Sequence, residues 1–297
     1  MDGREYGMRV GIIGVGNIGL RYLEGILKAS PGAEVFVVDR ESRLAELTAM
    51  DFERTKYFTS LKDIGERVDI MVVATSCDSR LELYRQCLEL NPKYIILEKY
   101  LFKSRAEFDE SISLSRVPTF VNQWLFGTKT FSKILNKNVR SVVVKGSNWG
   151  LGCNSVHWID LIKQSLGLSN LRVGKRSTIL DVFGSKRAGY EEVHGDWIFE
   201  DETSDKSFRL IDSASDSQSP GLTIKVDDDD YYFDYKTVSR SGEVISHFPY
   251  FSDQIGGIME ELLKRGECCL PTLEESVSQH LLVEDILDLR SCRPKIT

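Results

Sequence analysis

Residues 8–27 read MRVGIIGVGNIGLRYLEGIL. Met8–Ile13 is a short apolar run, and Leu20, Leu23 and Leu27 then recur at helical spacing until Ser30-Pro31-Gly32 stops the helix. Between them stands Gly14-Val15-Gly16-Asn17-Ile18-Gly19, a G-x-G-x-x-G placed where a strand turns into a helix. In that setting the first glycine makes the tight turn and the second lets the backbone approach a pyrophosphate. The third lets the helix pack closely on the strand. The start of the helix, at Asn17 and Ile18, offers main-chain N–H groups and a partial positive charge to the phosphates. Asp39 ends the second strand about 20 residues beyond Gly19, where a carboxylate accepts hydrogen bonds from adenosine ribose hydroxyls. A dinucleotide site at Gly14, Gly16, Gly19 and Asp39 is therefore expected. Asp39 would repel a 2′-phosphate, which favours NAD over NADP, whereas Arg40 beside it can accept that phosphate.

The pattern around this stretch is β-strand alternating with helix, as in a doubly wound parallel sheet. Val35–Val38 is a second strand, Leu44 and Leu47 mark a helix, and Lys56–Phe58 is a short third strand. Ile70–Ala74 is a continuous apolar run, as a strand buried on both faces should be. Leu81, Tyr84 and Leu88 line the next helix, and Tyr94–Leu97 makes a strand ending at Glu98 and Lys99. Ser104 and Glu107 form a capping box for a further helix, and Thr119–Val121 closes the sheet.

Beyond residue 122 the pattern changes. Arg140–Lys145 alternates as a strand, Cys153–Leu166 is one amphipathic helix, and from Leu171 to about Ser239 the chain is strand-like with polar turns. Helical periodicity returns with Ile258, Leu262 and Leu263, and again with Val283, Ile286 and Leu287. The expected fold class is α/β: an N-terminal Rossmann domain over 1–122, then an α+β domain over 123–297 with a largely antiparallel, open-faced sheet. Two domains also suit a chain of 297 residues. Asp227–Asp230 lacks the glycine and terminal glutamate of a calcium loop, and is expected as a hairpin turn between Thr223–Val226 and Tyr231–Tyr235. Ser213–Pro220 is expected as a surface loop.

Composition excludes several classes. A net charge of −7 with no lysine or arginine run argues against a generic grip on nucleic acid. No apolar stretch approaches the roughly 20 residues of a membrane span, and MDGREYGMRV lacks a secretory signal's features. The six cysteines, at 77, 87, 153, 268, 269 and 292, show no zinc-ligand spacing. No metal site is expected, and the cysteines read as reduced thiols of a cytoplasmic protein.

The order of these features resembles the Gfo/Idh/MocA family of sugar and polyol oxidoreductases. VGIIGVGNIGLRYLEGI is similar to that family's opening, MVVATSCDS to its fourth-strand segment and YIILEKYLF to its Glu-Lys-Pro segment. GLGCNSVHWIDLIKQSLG is similar to its helix bearing a carboxylate, a histidine and a later aspartate. The likeness continues through FSDQIGGIMEELLKRGE and PTLEESVSQHLLVEDIL. It implies hydride transfer between a nicotinamide cofactor and a hydroxyl-bearing carbon of a carbohydrate-like molecule. It adds Thr75, Ser76, Glu98 and Lys99 to the expected cofactor contacts.

The same resemblance makes Lys99, His157 and Asp160 the expected catalytic residues. Lys99 stands at a strand's carboxyl end, where open parallel sheets bind ligands, and an ammonium there can stabilise alkoxide charge or move the hydroxyl proton. Histidine is the side-chain type suited to proton transfer near neutral pH, which fits His157 for that part, and Asp160 can orient it. Lys99, Asn122, Trp124, Cys153, Asn154 and His157 are expected to meet the substrate. Asn148 and Trp149 suit a sugar or a core equally. Two departures stand out. Cys153 occupies the place of the family's carboxylate four residues before the histidine, and Glu98-Lys99-Tyr100 replaces Glu-Lys-Pro. The first leaves a second possibility open, a sensor that binds dinucleotide and ligand without turnover. Members of the family commonly pair through the open sheet, so at least a dimer is expected.

Overall fold

The computed structural model describes residues 7–214, 221–289 and 293–297. The first six residues, most of the expected 213–220 loop and Cys292 lie outside the described residues. The chain divides into two units, Met1–Asn122 with Tyr250–Leu273, and Gln123–Pro249 with Glu274–Thr297.

The first unit is built on β1 (Arg9–Ile13), α1 (Asn17–Ala29), β2 (Glu34–Val38), α2 (Glu41–Ala49), β3 (Thr55–Phe58) and β4 (Ile70–Val73). It continues with α3 (Cys77–Glu89), β5 (Tyr94–Leu97), α4 (Arg105–Leu114) and β6 (Thr119–Val121). All six strands are parallel, in the order β3-β2-β1-β4-β5-β6. Strand order reverses between β1 and β4, the switch point at which such sheets take their ligands. The central strands β1 and β4 are buried along nearly their whole length, which is why they read as unbroken apolar runs.

Two local readings differ in detail. The inner stripe of α1 is Gly19, Tyr22, Leu23 and Ile26, with Leu20 and Leu27 half-buried at its margins. Ser104 does cap α4, accepting from Glu107 N at 3.4 Å, while the Glu107 carboxylate reaches back to Lys103 N at 3.1 Å, one residue earlier than the usual box.

The second unit holds β7 (Ser141–Ser147), α5 (Leu151–Leu166), β8 (Leu171–Val173), β9 (Thr178–Gly184), β10 (Glu191–Asp201) and β11 (Ser207–Ser213). After these come β12 (Leu222–Val226), β13 (Asp229–Phe233), β14 (Thr237–Arg240) and β15 (Glu243–His247). Their sheet runs β15-β14-β13-β12-β7-β11-β10-β8, with β9 also on β10. It is antiparallel apart from the parallel pair β7–β11. Helix α5 packs on β10 and β11 over Val144, Trp197, Phe199 and Leu210, all fully buried. On the other face Lys145, Arg209, Thr223 and Lys225 are exposed among half-buried Val143, Ile198 and Ile211, so the sheet is open there with a mixed polar and apolar surface. Residues 227–228 turn the β12–β13 hairpin, and Asp227 accepts main-chain hydrogen bonds from Arg140 and Ser141.

Two helices follow, α6 (Phe251–Arg265) and α7 (Leu273–Leu287). The sequence pattern assigns both to the second domain, but α6 packs on α1 in the first unit. The contact is glycine-mediated. A Cβ on Gly256 would stand 1.9 Å from the Ala29 Cβ, and one on Gly25 would stand 2.3 Å from Ile255. Tyr22 and Phe251 meet edge-to-face at 4.9 Å, and Val121 N donates to Pro271 O at 2.9 Å, which ties the returning segment to β6. Among the described residues no helix is long and apolar enough to cross a membrane, and no cluster of three metal-ligating side chains occurs.

Candidate active site

The turn between β1 and α1 gives each glycine a separate task. Gly14 has φ +83°, and its amide donates to Val38 O at 2.9 Å. A Cβ there would meet the Thr75 methyl at 2.7 Å, so the fourth-strand turn packs directly over the loop. A Cβ on Gly19 would be 2.0 Å from the Gly14 carbonyl oxygen, which makes helix and turn inseparable. Gly16 is different, because no atom lies within 4 Å of the place its Cβ would occupy. That open cradle sits at the N-terminus of α1, where main-chain N–H groups carry the helix's partial positive charge.

Val15 is held from both sides. Its amide donates to Asp39 Oδ2 at 2.6 Å, and its carbonyl accepts from Arg43 Nε at 2.7 Å. Asp39 Oδ1 accepts from Arg40 N at 2.7 Å, and the Arg40 side chain is exposed. Arg43 was missed by sequence reasoning, since nothing in a single helical arginine announces that it reaches back to a loop.

At the ends of β5 and β6, Glu98 is buried and is the centre of a network. Tyr22 Oη donates to Glu98 Oε1 at 2.9 Å, and the Asn122 amide donates to the same oxygen. Burial raises the Glu98 carboxyl above its ordinary range, with these two hydrogen bonds opposing. It also holds the Tyr22 hydroxyl well above its usual value. Lys99 is half-buried, and its peptide bond to Tyr100 is cis. Arg80, 1% exposed, donates to the carbonyls of Tyr100, Leu101 and Thr75. A buried guanidinium needs such partners, and here they join the segment after Lys99 to the Thr75–Ser76 turn. Ser76 is the N-cap residue of α3.

In the second unit, Cys153, Asn154 and His157 are half-exposed while most of α5 is buried. Their spacing puts them along one helix face. Asp160 does not share that exposure. It is fully buried, and its Oδ1 accepts from Gln279 Nε2 at 2.8 Å. Burial is the leading cause that pushes its carboxyl up to about 7. On the opposite flank Trp158 joins Phe131 at 5.3 Å in the aromatic core.

The N-terminus of α5 meets two carboxylates from the sheet. Asp212 accepts from the amides of Trp149, Gly150 and Leu151 at 3.4, 3.1 and 3.3 Å. Glu192 accepts from Gly152 at 2.9 Å and from Cys153 at 3.3 Å. Burial raises Asp212 to about 6 against these bonds. Both carboxylates come from strands remote in sequence, so no local pattern could reveal them. The stretch of amides and indoles separates: Asn122 serves Glu98, Trp124 packs on Phe248 at 5.0 Å, and Trp149 donates from Nε1 to Ile211 O at 2.9 Å. Asn148 Oδ1 lies 2.8 Å from His194 Nε2.

A parallel sheet ordered in this way, with this glycine loop at its switch point, defines a dinucleotide-binding α/β protein. Residues 8–116 match the model of the oxidoreductase family with the NAD-binding Rossmann fold, Gfo/Idh/MocA. Solved structures share the fold along nearly the whole chain. A probable dehydrogenase from Thermotoga maritima is 17% identical, covers 95% of this chain and 98% of its own, and superposes with a TM-score of 0.70. An oxidoreductase from Agrobacterium radiobacter, in complex with NAD+, L-tartaric acid and magnesium, is 13% identical over 94% of each chain, with a TM-score of 0.72. The UDP-N-acetylglucosamine 3-dehydrogenase of Acidithiobacillus ferrooxidans is 14% identical over 96% and 97%, with a TM-score of 0.66. No curated protein matches the sequence.

Proposed function

We propose that the protein moves hydride between NAD and a hydroxyl-bearing carbon of a sugar, amino sugar or sugar nucleotide. The observation that carries this reading is the glycine loop, closed around Gly14 and Gly19 and open at Gly16, with a carboxylate at the end of β2. Gly14, Gly16, Asn17, Ile18 and Gly19 would hold the pyrophosphate, and Asp39 the adenosine ribose. Thr75, Ser76, Glu98 and Lys99 would complete the cofactor's surroundings. When bound, the nicotinamide supplies the hydride donor or acceptor.

The chain's own residues supply binding and proton movement. Lys99 takes the larger share of the proton transfer from the substrate hydroxyl, with His157 as its partner and Asp160 orienting. Asn122, Trp124, Cys153 and Asn154 complete the substrate's contacts. Tyr22, Arg80 and the Glu98 carboxyl fix the main chain on which Lys99 stands. Two similar structures support the substrate class, one a nucleotide-sugar dehydrogenase and the other carrying a small polyhydroxy acid. The absence of a carboxylate side chain at Cys153 favours a second reading, ligand binding without turnover. The protein is proposed to work in the cytoplasm as a homo-oligomer, with neither nucleic acid nor membrane as partner.

A dehydrogenase screen over sugars and sugar nucleotides with both cofactors tests the proposal. Reduction of NAD by at least one of them is expected. Binding of NAD and a carbohydrate with no turnover across the screen would sink the enzymatic reading and favour the sensor.

A further inference from the structure

Behind the His157 face of α5 runs a chain of buried polar side chains, of which the proposed reaction has used only Asp160. Asp160, Gln123, Ser276, Gln279 and His280 are each at most 1% exposed. Gln279 Nε2 donates to Asp160 Oδ1 at 2.8 Å, and Gln279 Oε1 accepts from Gln123 Nε2 at 2.5 Å. Gln123 Nε2 also donates to Val156 O at 2.8 Å, and Gln123 Oε1 accepts from the Ser276 hydroxyl at 2.5 Å. His280 Nδ1 lies 2.8 Å from Ser276 O.

The polarity of this chain is fixed. The Ser276 hydroxyl and the Val156 carbonyl set which end of Gln123 is oxygen and which is nitrogen, and Gln123 does the same for Gln279. Only the amide nitrogen of Gln279 is left to face Asp160. The carboxyl therefore meets only neutral donors, Gln279 at Oδ1 and, more weakly, Gln164, and no close partner satisfies its buried Oδ2. Few charged groups surround it. Glu275 faces it from α7 and raises it, and Lys163 on α5 lowers it. β10 and β11 present Glu192 and Asp212 to α5 at its N-terminus, and the turn Trp124–Gly127 packed on α5 brings no ionisable side chain. Leaving a carboxyl so thinly solvated costs stability that an asparagine or leucine would spare.

We propose that Gln279, held in turn by Gln123, is a positioning residue for His157: it fixes the Asp160 carboxyl one helical turn from the imidazole, so that the charge on that carboxyl sets the proton affinity of His157. Side chains three apart on a helix have Cβ atoms about 5–6 Å apart, a range at which one charge moves its neighbour's titration by about one pH unit or more. The two groups then titrate as a coupled pair. The inference rests on the reading of His157 as a proton carrier, but its test needs no substrate.

The chain has four histidines, so 13C-histidine labelling gives a spectrum in which His157 is assigned by its loss in His157→Asn. Its titration midpoint is followed in the intact protein, in Asp160→Asn, in Gln279→Leu and in the double variant Asp160→Asn/Gln279→Glu. In the double variant the amide and the carboxyl trade helices, and the hydrogen bond between them is kept with its direction reversed. Asp160→Asn is expected to lower the His157 midpoint by up to about one pH unit, less than a fixed charge would because Asp160 is itself part protonated in that range, and Gln279→Leu should lower it in the same direction. The double variant is expected to melt near the wild-type temperature while its His157 midpoint stays lowered. A purely packing role for Gln279 predicts instead that the double variant restores both. A midpoint unmoved by Asp160→Asn, or restored in the double variant, overturns the proposal. A coupled titration in a protein that turns over no substrate would overturn the reaction and leave the positioning intact.

Discussion

The main-chain amide of Val15 donates to the Asp39 carboxylate at 2.6 Å. One side chain therefore braces the glycine loop and presents negative charge at the end of β2. Replacing it should do two things at once. The unmodified protein is expected to bind NAD(H) more tightly than NADP(H), and Asp39→Ala should narrow or reverse that gap while weakening both, because the loop loses its brace. Asp39→Asn keeps an acceptor for Val15 and should relax the preference with less loss of overall affinity. Calorimetric titration of the three proteins decides it. Tighter NADP(H) binding by the unmodified protein would hand the site to Arg40 instead.

Lys99 and His157 are expected to differ in what they cost. Removing a general acid or base typically costs roughly 10²–10⁴-fold in rate. Lys99→Ala should lose that much in single-turnover hydride transfer with NAD affinity nearly unchanged, and His157→Ala should lose somewhat less. Near-normal hydride transfer in Lys99→Ala would take the lysine out of the mechanism.

The five amides at the start of α5 are already matched by Asp212 and Glu192. An anion that approached this helix terminus would meet carboxylates rather than open N–H groups. The phosphate monoester of any sugar the protein binds is therefore expected to bind about tenfold more weakly, or worse, than the parent sugar. Glu192→Gln should shrink that difference. Competition against a bound sugar measures it, and a phosphate ester that bound more tightly would refute the assignment.

Much of the first unit was legible because burial on both faces leaves strands such as Ile70–Val73 with no polar position to disguise them. The glycine loop was legible for a different reason: its residue types answer to backbone geometry that few sequences satisfy by accident. What stayed hidden depends on partners far along the chain. Gly25 and Gly256 weaken their helices when considered singly, and only the meeting of α1 with α6 gives them a purpose. Arg80 belongs to a residue type that is mostly exposed, so its burial under Tyr100 and Leu101 runs against the prior. Asp160 is singled out by the family resemblance as an orienting group, but its partner Gln279 lies on α7, more than a hundred residues away. Helical spacing alone places it beside His157 and says nothing of α7.

Asp160 also gives a pH dependence with a definite sign. Its carboxyl lies near 4 in an unfolded chain and is pushed up to about 7 in the fold. Between those values the folded state binds more protons than the unfolded one, so this group's contribution to stability is full below about pH 4 and is lost as pH rises through about 7. Asparagine mimics the protonated form and does not titrate. Asp160→Asn should therefore match the wild type at pH 4 and exceed it at pH 8, by up to about 4 kcal/mol. Urea unfolding at the two pH values gives the comparison. A stability difference that did not change with pH would show that Asp160 is not held protonated by its burial.

The glycine loop allows the sharpest separation of folding from binding. Gly16 has φ −75°, a conformation any residue adopts, and no atom within 4 Å of a Cβ. Gly16→Ala should thus fold with an unchanged melting temperature. The added methyl group would fill the cradle where a pyrophosphate must touch the main chain, so NAD affinity should fall by about tenfold or more. Gly19→Ala is the contrast. Its Cβ would stand 2.0 Å from the Gly14 carbonyl oxygen, a backbone atom that cannot swing aside, and overpacking of that kind costs about 1–3 kcal/mol. That variant should lose stability first and NAD affinity as a consequence, with binding partly recovered on cooling. Thermal melts and NAD titrations of both variants form the test. If Gly16→Ala bound NAD as the wild type does, the loop would hold no pyrophosphate, and the reading of the whole first unit as a working cofactor site would have to be given up.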